Sequence, residues 1–338
     1  MNIAVVLGGT NEDRNVSLAS GRAVVAALRE KGHSVVAVDP AHGVILPEEE
    51  AHILGGAVGV DPPTLEDLSR LGRSAVGAAL ADLPAIRRAD VVFLALHGEG
   101  GEDGTMQGLL DLAGVCYTGS GCLGSAVGFD KRISKELMRL AAVPTPEWTP
   151  EGVTPDEVIE ALGLPLVVKP SSGGSTVGLS VVQTREELKP ALDLAAVYDD
   201  DVLCERFVPG RELTVAVLDA VALPPVEIIP GHEIYDYECK YTPGMSRYDV
   251  PAHLTADQDE RIRTLALLAY HALRQESYSR IDFRMAPDGS LWCLEANSLP
   301  GMTATSLVPK AAAAAGIEFP ELCERIAMSA VARSDAAR

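Results

Sequence analysis

The stretch from Ser279 to Leu307, SRIDFRMAPDGSLWCLEANSLPGMTATSL, constrains the fold more than any other part of the chain. Ile281, Phe283 and Met285 alternate with Arg280, Asp282 and Arg284, while Trp292, Leu294 and Ala296 alternate with Cys293 and Glu295, a period of two that specifies strands. Pro287-Asp288-Gly289 supplies the turn, so residues 280 to 296 are predicted as a hairpin. Burying both apolar sets on one face requires Met285 opposite Ser290 and Asp282 opposite Cys293. The same register turns Arg280, Asp282 and Glu295 to the other face, with Asn297 if the strand continues. Two carboxylates and an amide oxygen beside an arginine suit a hard divalent cation that also holds phosphate. A solvated hairpin face with an Arg-Asp pair is the alternative. Beyond Pro300-Gly301-Met302-Thr303, the hydroxyls of Thr303, Thr305 and Ser306 precede an alanine-rich helix, and a helix start of this kind favours a carboxylate.

The whole chain limits what such a site serves. Its 338 residues, 47% hydrophobic, suffice for two or three domains with real cores. A formal charge of -20 without a basic block argues against nucleic acid or an anionic membrane as partner, so any phosphate must be held by local lysines. Six cysteines show neither metal-ligand spacing nor a disulfide framework and are expected to be reduced, buried thiols. The apolar run at residues 1 to 7 is too short for a signal sequence, and no run of 18 apolar residues occurs. A soluble, cytoplasmic protein is expected.

Several loops lie where ligands bind. The opening strand, Gly8-Gly9-Thr10 and a helix from about Val16 to Lys31 begin a βαβ unit. Its glycines lack the G-x-G-x-x-G spacing of a nicotinamide site. Ala89 to Leu96 reads as a buried parallel strand running into His97-Gly98-Glu99-Gly100-Gly101-Glu102, where His97 is either a satisfied loop residue or a functional one. Lys131 sits early in a helix that runs to about Leu140. Lys169 ends a strand before Ser171-Ser172-Gly173-Gly174-Ser175-Thr176, a loop suited to phosphates or simply a mobile hairpin. Glu205, the backbone from Arg206 through Val208, and Glu212 could read an adenine amine and ribose hydroxyls, or could be solvent-facing strand residues. The loop Tyr235 to Gly244, dense in aromatics and charge, is a candidate for substrate contacts.

These stretches together resemble the D-alanine-D-alanine ligases of the ATP-grasp superfamily. The resemblance is carried by VSLASG, LALHGEGGEDGTMQGLL, YTGSG, DKRISK, VVKPSSGGSTVG, YDYECKYTPG, RIDF and LEANSLPGMTATSLVP, and only residues 40 to 86 lie outside it. It implies an α/β ATP-grasp fold: a Rossmann-like parallel-sheet domain at 1-119, then α+β subdomains at 120-204 and 205-338 that clamp ATP. It implies that ATP phosphorylates one D-alanine and that a second attacks the acyl phosphate, giving the dipeptide used in peptidoglycan. Lys131 and Lys169 would hold phosphates under a Gly173-Gly174 lid, and Glu205, Arg206, Val208 and Glu212 the nucleoside. Asp282, Glu295 and Asn297 would bind two magnesium ions, with manganese as a substitute. Arg280 and the Gly301 amide would stabilise an oxyanion. His97 would lie near the first substrate's carboxylate, Lys240 near the transferred phosphate, and Ser306 with Leu307 at the second substrate's carboxylate. A homodimer is the family's common state.

One position departs from the family's pattern. Asn15 stands where the family has a glutamate that binds the first substrate's ammonium and links to a serine and a tyrosine, here Ser175 and Tyr241. An amide accepts from an ammonium without a formal charge, so weaker binding is expected unless Asp13 or Glu12 compensates. Two other readings stand beside the dipeptide ligase. One is a ligase of the same fold that makes D-alanyl-D-lactate or D-alanyl-D-serine; Tyr241 speaks against the lactate form. The other is a nucleotide-gated binding protein without turnover, which the intact Arg280, Asp282, Glu295, Asn297 and lysines oppose.

Overall fold

The structure, a computed structural model, describes residues 1-55, 63-174, 176-231, 244-303 and 305-336. Ser175, Lys240 and Tyr241, and with them most of the Tyr235 to Gly244 loop, lie outside the described residues.

Three sheets build the protein. The first has the order β3-β2-β1-β4, with β1 (Asn2–Val6), β2 (Ser34–Asp39) and β4 (Val91–Leu94) parallel and β3 (Gly43–Ile45) antiparallel at the edge. The strand β4 is buried along its whole length, as a parallel strand covered on both faces must be. Gly8 and Gly9 follow β1 with φ of +84° and +91°, and a Cβ on Gly8 would meet Asp39 at 2.8 Å, so the turn requires glycine there. The helix Arg14–Glu30 starts directly after this turn.

The second sheet places β5 (Leu166–Pro170) between β6 (Ser180–Val182) and β7 (Val202–Arg206), all antiparallel, under the helices Pro155–Leu162 and Arg185–Ala195. Thr184 and Glu187 form the capping box that their spacing predicts.

The third sheet runs β11-β10-β8-β12-β13, with β9 (Val221–Ala222) beside β8. Its members are β8 (Arg211–Leu218), β10 (Val226–Pro230), β11 (Ser246–Asp249), β12 (Tyr278–Met285) and β13 (Leu291–Asn297). Leu213, Val215, Val217, Ile281, Phe283 and Met285 pack on the helices Ala256–Ala272 and Lys131–Leu140. Helices Leu307–Ala314 and Phe319–Ala336 return to the first sheet and join its core to the other side of the third. The loop after β13 is therefore wedged between the two halves of the molecule.

The hairpin register differs from the sequence expectation. Met285 faces Leu291 rather than Ser290, Asp282 faces Glu295 rather than Cys293, and the ladder shifts between Asp282 and Phe283. Leu294 is the extra residue of a β-bulge. The buried residues of β13 are Leu291, Cys293 and Ala296, whereas Trp292 and Leu294 are only half-buried. A strict period of two would have placed Leu294 in the core and Glu295 opposite it. The bulge turns both Leu294 and Glu295 toward the cleft, and so brings the acid to Asp282.

The thiols are more varied than expected. Cys204, Cys293 and Cys323 are buried and their pKa values are raised by burial, but Cys122 is exposed and Cys116 intermediate.

Candidate functional site

The second and third sheets face each other across a cleft. Along the third sheet its wall is the polar side of β8 and β12, where Glu212, Thr214 and Ala216 pair with Arg284, Asp282 and Arg280. Lys131, Lys169, Gly173, Gly174, Glu205, Arg206, Val208, Glu212, Arg280, Asp282, Glu295 and Leu307 all line this one cleft. Asn297 lines an adjoining recess with Glu102, Lys131 and Glu295. Residues drawn from four separate stretches of sequence thus converge.

At one end the acids are held by cations and amides. Arg280 reaches Asp282 from both Nε and Nη2, at 2.9 Å and 2.8 Å to different oxygens. Thr214 donates its hydroxyl to Asp282 Oδ1 at 2.6 Å, and Asn297 Nδ2 donates to Oδ2 at 3.0 Å. Lys131 Nζ stands 3.6 Å from Glu295 Oε2 and donates to the Gly173 carbonyl at 2.5 Å. This lysine fastens the glycine loop over the cleft. Among the described residues no group of three or more His, Cys, Asp and Glu side chains forms a metal cage. Two opposed carboxylates with an amide oxygen fit magnesium nonetheless, because that ion keeps part of its shell for phosphate oxygens and water.

At the other end lie the residues expected to read a nucleoside. Lys169 Nζ binds Glu205 Oε1 at 2.6 Å, and Lys135 Nζ stands 2.8 Å from Oε2. Burial pushes the Glu205 carboxyl upward, but the two ammonium groups outweigh it and hold its pKa at about 2. Glu205 is therefore an ionised, acceptor-only group, hydrogen-bonded to Lys169 through Oε1 and ion-paired with Lys135 through Oε2, rather than a solvent-facing strand acid. Arg284 joins Glu212 at 3.2 Å and the Val208 carbonyl at 3.0 Å, and lies over the Phe207 ring. Lys135 and Arg284 had no role in the sequence reading. Lys135 stands four residues after Lys131 on one helical face, and that spacing was the available signal.

A third group sits behind the cleft. His97 is buried; its Nδ1 lies 2.8 Å from the Leu299 carbonyl and its Nε2 3.0 Å from Ser20 Oγ, which accepts the Met302 amide at 3.1 Å. A carbonyl can only accept, so Nδ1 carries the proton and Nε2 accepts from Ser20. Burial lowers the His97 pKa, which keeps the ring neutral. The histidine thus holds the loop that carries Gly301. Glu102 does the same from the neighbouring turn, accepting the Gly98 amide at 2.9 Å and the Leu299 amide at 3.1 Å. Burial pushes its pKa up to about 7, only partly offset by those two amides. Glu102 was also missed, since nothing in a glycine-rich loop announces which acid turns inward.

Gly301 lies against Ser306, where a Cβ would meet Oγ at 2.9 Å, and Ser306 Oγ accepts the Thr303 amide at 3.0 Å. Ser306 precedes the helix Leu307–Ala314, as expected of an anion-binding helix start. Asn15 is half-buried in the first turn of its helix, and Asp13 just before it is buried close to Gly98 and Gly174.

Comparison with known proteins is consistent across both halves. Residues 2–120 match the family model for the D-ala D-ala ligase N-terminus, and residues 136–328 match that for the D-ala D-ala ligase C-terminus. A "D-alanine--D-alanine ligase" of Gloeobacter violaceus is 42% identical over 332 residues, covering 96% of this chain and 98% of that protein. The crystal structure of D-alanine--D-alanine ligase from Bacillus anthracis complexed with ATP superposes with a TM-score of 0.76 at 30% identity, over 99% of each chain. The VanG D-Ala:D-Ser ligase from Enterococcus faecalis gives a TM-score of 0.79 at 28% identity, over 97% of this chain and 98% of that one.

Proposed function

We infer, from a chain that belongs to the D-alanine-D-alanine ligase family, that the cleft carries out ATP-dependent joining of two D-alanines through a D-alanyl phosphate. Asp282 standing directly opposite Glu295, within the cleft that also holds Lys131 and Lys169, is the observation that carries this reading.

The roles follow from the charges. Lys131 and Lys169 would neutralise phosphate oxygens, and the Gly173-Gly174 loop would close above them and exclude water from the acyl phosphate. Asp282, Glu295 and Asn297 would hold magnesium, whose chemistry is to neutralise charge on the transferred phosphoryl group. Arg280 would stabilise the oxyanion formed as the second amine attacks, together with the Gly301 amide. That amide is held in place by the His97, Ser20 and Glu102 contacts. Glu205 would accept from the adenine amine and Glu212 from ribose hydroxyls, with backbone groups of Arg206 through Val208 beside them. Ser306 and the Leu307 amide would take the second substrate's carboxylate. A homodimer working in the cytoplasm, where ATP is supplied, completes the proposal; light scattering would measure the assembly.

The test is product identification by mass after incubation with ATP, magnesium and D-alanine, with phosphate release followed in parallel. D-alanyl-D-alanine and phosphate in equal amounts are expected. Phosphate release independent of D-alanine, or a product only when D-serine or D-lactate replaces the second D-alanine, would overturn it.

A further inference from the structure

Lys135 has no part in the reaction as described, yet it is fully buried. Its ammonium stands 2.8 Å from Thr145 Oγ1, 3.0 Å from the Pro146 carbonyl and 2.8 Å from Glu205 Oε2, with the Trp148 ring centre 5.1 Å away. Lys169 holds the other Glu205 oxygen at 2.6 Å. One carboxylate therefore faces two ammonium groups, with side chains only 4%, 0% and 8% exposed for Glu205, Lys135 and Lys169. The cluster carries a net charge of +1 away from water, which is costly unless something offsets it. A single lysine would neutralise Glu205 at lower cost.

The two lysines differ in what they can reach. Lys169 and Glu205 line the cleft, whereas Lys135 is absent from its walls and sits behind Glu205. Lys135 is also tied down by Thr145 and Pro146, while Lys169 is the penultimate residue of the strand that leads into the glycine loop. We propose that Lys135 is the standing counter-ion of Glu205, a positioning residue that frees Lys169 to turn to the nucleotide phosphates without leaving a buried carboxylate unpaired. The arriving phosphates then offset the surplus positive charge. Burial pulls the Lys135 pKa down, Glu205 raises it and Lys169 lowers it further, so departure of Lys169 strengthens the remaining pair.

This proposal rests on the nucleotide reading of the cleft, and the experiment separates the two. Dissociation constants for ATP and for adenosine, each with magnesium present, are measured on the full chain. Their ratio isolates what the phosphates contribute. In Lys135→Met, Lys169 must stay on Glu205, so the ratio should fall about tenfold while adenosine affinity changes less than about threefold. Adding Glu205→Gln to that variant removes the charge that detains Lys169, and the ratio should return to within about threefold of the parent protein. Glu205→Gln alone should raise the ratio about threefold or more, and it decides the matter if Lys135→Met does not fold. An unchanged ratio in Lys135→Met, a parallel loss of adenosine and ATP binding, or no recovery in the double variant overturns the proposal. A parent protein that binds no ATP overturns the nucleotide reading itself.

Discussion

The two ends of the cleft treat their carboxylates differently. Glu205 is 4% exposed and clasped by two ammonium groups within 2.8 Å, whereas Glu295 is 28% exposed and its lysine stands 3.6 Å away. Asp282 lies between these extremes, 13% exposed and paired with Arg280 at 2.8 Å. A deeply buried charge must be fully paired by the fold itself, so Glu205 is fixed before any ligand arrives. A half-exposed acid loses less when its partner leaves, because water and the incoming ion replace it. The Glu205 end thus has in Lys135 a counter-ion set by folding, whereas the Glu295 end, like Lys169, is left able to exchange partners.

The strongest way to break this contrast is at the exchangeable end. Asp282→Asn should lower turnover roughly a thousandfold, as should chelation of magnesium, while adenosine binding stays within about twofold. Loss of adenosine affinity in step with turnover, measured by titration, would show that the two ends are not separate.

Glu102 sharpens the contrast from a third position, since amides rather than cations hold it. Its pKa rises from 4.5 to about 7, so between those values the folded protein retains a proton that the unfolded chain has released. Stability should therefore decline as pH rises through this window, by roughly 3 kcal/mol in all, with the loss complete above the folded value. Glu102→Gln should flatten that dependence in urea unfolding at pH 5 and pH 8. An equal slope in both proteins would assign it to other groups.

Arg284 tests whether the fixed end depends on its cations generally. Arg284→Met removes the contacts to Glu212 and the Val208 carbonyl, and should raise the KM for ATP about tenfold with kcat within about threefold. A fall in kcat alone would place Arg284 at the phosphate end instead. The smallest effect is expected at the first substrate's ammonium. Asn15→Glu should lower the KM for the first D-alanine by a few-fold, since a formal charge replaces an amide dipole. An unchanged or higher KM would assign that work to Asp13.

Much of the site was legible because its chemistry comes in local packets. Strand alternation placed Arg280, Asp282 and Arg284 on one face, the glycines after Lys169 marked a loop that lines the cleft, and Thr184 with Glu187 marked a helix start. What escaped was whatever depended on a residue's neighbours in space. Lys135 reads as one more helical lysine until Glu205 is brought beneath it from 70 residues away. His97 reads as a loop histidine until Leu299 and Ser20 close on its two nitrogens.

By itself the sequence determined most elements outside residues 40 to 86, the hairpin and the list of ionisable groups, because period, turn residues and charge are properties of short segments. Only the tertiary structure decided the register in which Glu295 meets Asp282, since a bulge is selected by packing Leu291, Cys293 and Ala296 together and not by alternation. It also decided which charges are locked and which are exchangeable, because that depends on how much water the rest of the fold leaves around each one.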